Sequence, residues 1–203
     1  MRRATPLPSV AALLACWLVV SPAVGAPPAQ LVVCAACHGQ DGNSEVPDNP
    51  KLAGLDADYL ERQLKNFKGG ERKNPIMSGM VAALSAQDMR ELAEHFAEQT
   101  AKPGVGYDAA EAAKGKVIFD EGLVSAAVPA CSGCHGSDGV GDAKYPRLAG
   151  QHHTYVARQL AAFKSGERAN DLKAAMSAVA KRMTDADMLA VSHYVSSMKE
   201  EAR

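Results

Sequence analysis

The sequence predicts an all-α protein built from two tandem copies of one unit, and three observations carry that expectation. Hydrophobic residues make up 47% of the 203-residue chain but aromatics only 5%, so the core material is Ala, Leu, Val and Met, which favours helices over packed strands. Apolar residues recur at helical spacing, and no convincing strand pattern stands out. Self-comparison then shows Pro50-Lys51-Leu52-Ala53-Gly54 returning 96 residues later as Pro146-Arg147-Leu148-Ala149-Gly150. Tyr59, Arg62, Gln63, Leu64, Phe67 and Lys68 return at the same offset as Tyr155, Arg158, Gln159, Leu160, Phe163 and Lys164. A repeat of this extent marks a copied structural unit.

In chain order, Arg2 and Arg3 precede an apolar run from Val10 to Val20, and Val24-Gly25-Ala26 offers small residues to a signal peptidase. Residues 1–26 are therefore expected to be a cleaved secretory signal peptide. The apolar run is too short for a membrane span, and the later segments are too amphipathic to supply one. A lipoprotein reading through Leu13-Leu14-Ala15-Cys16 would leave Trp17 to Val20 as an exposed apolar tail, and is set aside. Cleavage after Ala26 discards Cys16 and leaves four Cys. With a formal net charge of -1 and no basic run, the chain has no field to hold a nucleic acid.

The first copy is expected over residues 27–100, a linker containing Lys102-Pro103-Gly104 and Gly106 over residues 101–106, and the second copy over residues 107–203. Each copy has a helical stripe, Tyr59, Leu60, Leu64 and Phe67 closed by Gly69-Gly70, and Tyr155, Val156, Leu160 and Phe163 ahead of Gly166. Ser85 with Asp88, and Thr184 with Asp187, form capping boxes that open the last helix of each copy. Those helices are expected to bury Met89, Leu92 and Phe96, and Met188, Val191 and Val195. Three extra residues enter the second copy after Asn170, where the offset becomes 99. The second copy also has a helix from Ala109 to Asp120, in which Gly115 would let another helix approach beside Phe119. The first copy has only Pro27 to Val33 in that place, about two turns before Cys34, and the neighbouring domain is the nearest cover for its Leu92 and Phe96.

Cys34-Ala35-Ala36-Cys37-His38 and Cys131-Ser132-Gly133-Cys134-His135 are both CxxCH, the attachment pattern of a c-type haem. Cysteines three apart on a helical turn lie on one face and can add to the two vinyl groups of one haem, while the next His points its ring at the iron. Two disulfides, or a zinc site of four Cys and two His, would not explain a His directly after the second Cys twice. Two covalently attached haems are expected, on Cys34, Cys37, Cys131 and Cys134, with His38 and His135 on the irons.

The duplication also selects the sixth ligand. Met80 pairs with Val179 and Met183 with Leu84, the behaviour of interchangeable core positions. Met89 and Met188 match each other but lie on the apolar stripe of the capped helix. Met77 and Met176 are Met in both copies and are expected in a loop, 39 and 41 residues after their histidines; they are the expected axial ligands. His152 and His153 have Asp56 and Ala57 as counterparts, and His95 pairs with Tyr194, so these three histidines read as surface or packing residues. The carbonyls of Pro50 and Pro146 could accept from the proximal ring N–H and fix that ring; an ordinary turn role stays open. Arg62, Arg72, Arg158 and Arg168 could neutralise haem propionates, but a solvated helix face is their expected role.

These residues resemble the diheme cytochrome c4 family. The likeness rests on CAACHGQDGNS, PKLAG, YLERQLKNFKGGER and PIMSGM and covers nearly all of the chain after residue 26. It implies two class I cytochrome c domains in tandem, and a soluble, monomeric electron carrier of the periplasm whose two haems turn their propionate edges toward each other across the domain interface. It also implies His38 and His135 as proximal ligands, Met77 and Met176 as distal ones, and a crossing of terminal helices at Gly115, Phe119 and Tyr194. Electron donor and acceptor proteins of the respiratory chain, a terminal oxidase or another reductase among them, are the implied partners, and peripheral membrane association is left open. An enzyme is not expected, because filled axial positions leave no iron site for substrate. A peroxidase or thiosulfate-oxidising diheme protein would need an open or His-ligated iron. The alternative reading is a haem subunit docked on a periplasmic dehydrogenase such as a sulfide-oxidising flavoprotein.

Overall fold

Capping residues and glycine stops set out the same plan twice. The computed structural model describes Met1 and residues 27–199; the expected signal peptide, Met1 apart, and Cys16 lie outside the described residues. Within them the first copy contains α1 (Leu31–His38), α2 (Ala57–Gly69), α3 (Pro75–Val81) and α4 (Ala86–Ala97). The second contains α5 (Ala109–Glu121), α6 (Ser132–His135), α7 (His153–Ser165), α8 (Ala175–Ala180) and α9 (Asp185–Ser197). Among the described residues the one strand-like feature is an isolated bridge between Leu123 and Val128.

The Asp56 carboxylate accepts from the N–H groups of Asp58 and Tyr59 to start α2, and Gly70 ends it at φ +86°. Gly166 ends α7 in the same way at φ +82°. Both expected capping boxes are present, at Ser85 with Asp88 and at Thr184 with Asp187, each cap contributing about 1 kcal/mol. Lys68 and Lys164, in the last turns of α2 and α7, donate to the carbonyls of Leu84 and Met183. These bonds tie the second helix of each copy to the turn that precedes its last helix.

Two cores result. Leu60, Phe67, Met89, Leu92 and Phe96 join α2 to α4, and Val156, Leu160, Met188, Val191 and Val195 join α7 to α9. Met183 and its counterpart Leu84 are both buried, as interchangeable core residues should be. Met80 is not a core residue, being 52% exposed. Helix α3 has only seven residues, and Val81 rather than Met80 turns into the core.

The copies differ at their N-terminal ends. Helix α5 crosses α9 where a Cβ on Gly115 would stand 2.0 Å from the Ala190 carbonyl oxygen. Beside it the fully buried Phe119 meets Tyr194 edge-on, with ring centroids 5.3 Å apart. Gly115→Ala is therefore expected to push the two helices apart and cost about 1–3 kcal/mol, read as a lower denaturant midpoint of the haem-loaded protein. An unchanged midpoint would show that this crossing does not carry stability.

The first copy has no counterpart of α5. Only one turn precedes Cys34, because α1 starts at Leu31 and is the haem-motif helix itself, equivalent to α6. Leu92 and Phe96 are covered from within their own copy, not by the neighbouring domain. Leu31 packs in their cluster, a Cβ on Gly42 would stand 2.8 Å from the Phe96 ring, and the Gly54 N–H donates to the Phe96 carbonyl at 3.0 Å. The sequence of α4 is adapted to the loss: Ala190, His193 and Tyr194 on the α5 side of α9 are replaced by Glu91, Glu94 and His95. Glu91 and Glu94 are exposed, so no apolar scar remains where a helix is missing.

Polar bonds hold the copies together. The Lys51 N–H donates to Gln151 Oε1, and Gln151 Nε2 returns a bond to the Lys51 carbonyl, both at 2.9 Å. Lys51 Nζ donates to the carbonyls of Lys102 and Pro103, and the Gly104 N–H to that of Ser196, which seats the connecting segment against both copies.

Candidate haem-binding sites

Helix α1 delivers Cys34, Cys37 and His38 from one short stretch, and Cys131 with α6 delivers Cys131, Cys134 and His135. None of Cys34, Cys37, Cys131 and Cys134 is joined to another in a disulfide. Among the described residues no cluster of three or more Cys, His, Asp or Glu side chains is assembled at metal-ligand spacing. Burial pushes the Cys131 thiol up to about 11 and raises Cys34 as well, the environment of thiols held against a core.

The two histidines are fixed alike. His38 and His135 are buried, and each donates from Nδ1 to a proline carbonyl, Pro50 and Pro146 respectively, at 2.8 Å in both copies. The open role of those prolines is thereby decided: they orient the rings. The reason lies in the repeated Pro-x-Leu-Ala-Gly turn. The Gly42 carbonyl accepts from the N–H groups of Leu52 and Ala53, and the Gly139 carbonyl from those of Leu148 and Ala149. The closing glycines, Gly54 and Gly150, then donate to the last helices at the Phe96 and Val195 carbonyls. Motif, turn and last helix thus form one rigid unit per copy.

With Nδ1 engaged, Nε2 is free to face a ligand, and His135 Nε2 is buried with no hydrogen-bond partner. A buried ring nitrogen left in that state costs free energy, and an iron atom would satisfy it. Burial lowers the pKa of both imidazoles, with the proline carbonyls pulling the other way, which keeps them neutral as metal ligands must be. The residues present fit a c-type haem in each copy.

Met77 and Met176 lie in short helices, α3 and α8, not in loops. Both are partly buried and pack against their own copy's core. The Asn74 side chain accepts from the Met77 N–H at 2.9 Å and starts α3 ahead of Pro75. In the second copy the three-residue insertion makes a 3-10 turn, Leu172–Ala174, in which Lys173 and Ala174 adopt φ of +52° and +55°. Asp171 then takes over the capping task, accepting from the Ser177 N–H and hydroxyl.

The remaining histidines pack. His152 is buried and donates from Nε2 to the Ser44 carbonyl of the other copy at 2.8 Å, His153 stacks on His193 at 4.3 Å, and His95 meets Phe96 edge-on. For two of the four arginines the expectation of a solvated helix face fails. Arg72 and Arg168 are buried. The left-handed glycine after α2 and after α7 folds the chain back, so that the Arg72 N–H meets the Asn66 carbonyl and the Arg168 N–H that of Ala162. Their guanidiniums lie over the rings of Phe67 and Phe163 at 4.6 and 4.5 Å. Arg62 and Arg158 reach across to the Ala143 and Asp48 carbonyls. Gln151 escaped the sequence reading because its counterpart is Leu55, and the duplication gave no signal there.

The Cytochrome c family profile matches residues 29–99 and 112–199. Cytochrome c4 of Pseudomonas aeruginosa is 41% identical over 173 residues, which cover 84% of this chain and 86% of that protein. The thiosulfate dehydrogenase electron acceptor of Thiomonas intermedia is 36% identical over 200 residues, covering 97% of this chain and 91% of that one. The crystal structure of reduced recombinant cytochrome c4 from Pseudomonas stutzeri superposes with a TM-score of 0.80 at 40% identity, covering 84% of this chain and 95% of that one.

Proposed function

The chain belongs to the cytochrome c4 family, with two cytochrome c domains that each bind a covalent haem c, and we propose that it is a one-electron carrier of the periplasm. In this reading residues 1–26 are removed on export, residues 27–100 and 107–203 are the two domains, and residues 101–106 join them. Cys34 and Cys37, and Cys131 and Cys134, hold the haems. His38 with Met77, and His135 with Met176, ligate the irons. Bound in this way, haem would supply an Fe(III)/Fe(II) couple, with His38, Met77, His135 and Met176 as the residues that would hold the irons. The observation that carries the reading is the pair of histidines, each aimed by a proline carbonyl at 2.8 Å. A methionine at the equivalent position of each copy, packed on the same core as its histidine's motif, is what separates a carrier from an enzyme that needs an open iron. Among the described residues no helix is long and apolar enough to cross a membrane.

Electron donor and acceptor proteins of the respiratory chain are the proposed partners, with the protein travelling as a monomer between them. A second reading is favoured by the likeness, over nearly the whole chain, to the electron acceptor of thiosulfate dehydrogenase: a haem subunit docked on a periplasmic dehydrogenase. Size-exclusion chromatography of a native extract with haem staining separates the two. A peak at the mass of one chain supports the free carrier, and co-elution with a dehydrogenase overturns it. Intact mass is expected to show the chain after residue 26 with two haems and no free thiol. One haem with a disulfide would contradict the attachment at both motifs.

A further inference from the structure

Three histidine rings stand where the second copy receives the connecting segment and the first copy, and none of them belongs to a haem motif. His152 precedes α7, His153 is its first residue, and His193 lies on α9. The rings of His153 and His193 stack with centroids 4.3 Å apart and planes 19° apart. The N–H of Asp108, the N-cap of α5, donates to His193 Nδ1 at 2.9 Å, so the neutral ring carries its proton on Nε2. His153 is drawn to the Gly106 carbonyl, and the Gly104 N–H is bonded to the Ser196 carbonyl of α9. The neighbouring His152 ring bonds the first copy instead: its Nε2 donates to the Ser44 carbonyl at 2.8 Å, and its Nδ1 is buried with no hydrogen-bond partner.

Each of these arrangements needs a neutral imidazole. A proton on His193 Nδ1 displaces the Asp108 N–H. Protons on both stacked rings set two like charges against each other at 4.3 Å. A proton on His152 Nδ1 puts an unpartnered charge in a buried site that already faces Lys51. Among the described residues the charged groups that face the rings are Lys51, beside His152, and Asp108, beside His193. The Asp108 carboxylate accepts from the Ala110 and Glu111 N–H groups and feels Lys114 as well; it alone of these favours protonation.

We propose that His152, His153 and His193 form an acid-sensitive latch, which fixes residues 104–108 and the first copy on the second copy while the rings are neutral and releases both when they are protonated. Burial is the main cause that lowers the pKa of His152 and His153; Lys51 adds to it at the first and the other two rings at the second, against the pull of the Ser44 and Gly106 carbonyls. The released state therefore binds more protons than the latched one. The latch is complete above about pH 6.5, the value of a free imidazole, and weakens as pH falls below it. The two cores are apolar, so mild acid loosens the contact between the copies and not the copies themselves.

Amide hydrogen exchange of the haem-loaded, reduced full chain tests it, with rates corrected for the pH dependence of free amides. Between about pH 7.5 and 5.5 the protection of the Gly104 and Asp108 amides, and of the Lys51 amide bonded to Gln151 across the copies, is expected to fall about tenfold. Leu92 and Val191, in the cores, should keep theirs. His193→Asn, whose side-chain oxygen can still accept from the Asp108 N–H but takes up no proton, combined with His153→Gln, should remove the pH dependence at Gly104 and Asp108. His95→Gln, on α4 of the first copy, should leave it unchanged. Protection that does not vary with pH, that falls equally at Leu92 and Val191, or that still falls in the double variant overturns the latch. Should the double variant fail to load haem, the imidazole resonances of the unaltered protein decide. His153 and His193 taking up protons over the range in which Gly104 and Asp108 lose protection supports the latch, and rings that stay neutral through that loss overturn it.

Discussion

Met77→Ala or Met176→Ala is expected to open one haem, and one only, to carbon monoxide and to lower its potential by on the order of 0.1 V or more. A thioether sulfur is a soft ligand that favours ferrous iron, and its loss leaves either water or an empty position that carbon monoxide can take. The effect should stay local because each methionine belongs to its own capped helix on its own core. Ferric spectra should lose the haem–methionine charge-transfer band at half intensity in each single variant and entirely in the double variant. Two controls bound the claim. Met80→Ala removes an exposed side chain and should change neither potential. Met183→Ala empties a buried site and should cost about 2–5 kcal/mol of stability without opening either iron. Carbon monoxide binding in Met80→Ala but not in Met77→Ala would show that the internal alignment chose the wrong methionine.

How far the sequence could be read depended on whether the two copies say the same thing. Where they repeat a residue in a fixed local frame, the role was legible: both CxxCH helices, both capping boxes, both glycine stops and the Pro-x-Leu-Ala-Gly turn stand where their pattern placed them. The methionine helices were read as loops because six or seven residues are too few to show a 3.6-residue period. Arg72 and Arg168 repeat as well, yet their burial was illegible, since what covers them is the other copy and a long cationic side chain ordinarily lies along a wet helix face. Residues without an internal counterpart were harder still. Nothing in one copy announces that Gln151 will pair with the Lys51 backbone, or that the His152 ring will reach Ser44. Local chemistry is written into each copy, and the contact between copies is written only into their juxtaposition.

Separating the copies should expose that difference as unequal stability. Expressed alone with haem attached, residues 107–203 are expected to melt cooperatively and residues 27–100 to melt earlier or aggregate. The second copy keeps the α5–α9 crossing, where Ile118 and Phe119 are buried at about 1.5–3 kcal/mol each. The first copy has only Leu31 and the Gly42 turn over the same end of its last helix. For domains of this size 1 kcal/mol moves the midpoint by about 4–8 °C, so a gap above about 10 °C is expected by circular dichroism. Every bond across the interface has one partner in each half, among them Lys51 with Gln151, Arg62 with Ala143, Arg72 with Gln159, Arg158 with Asp48 and Arg168 with Gln63, so the cut takes the same bonds from both. The gap therefore reports the missing helix and not the cut. Equal midpoints for the two halves would mean that Leu31 and the polar substitutions Glu91 and Glu94 fully offset the loss of α5.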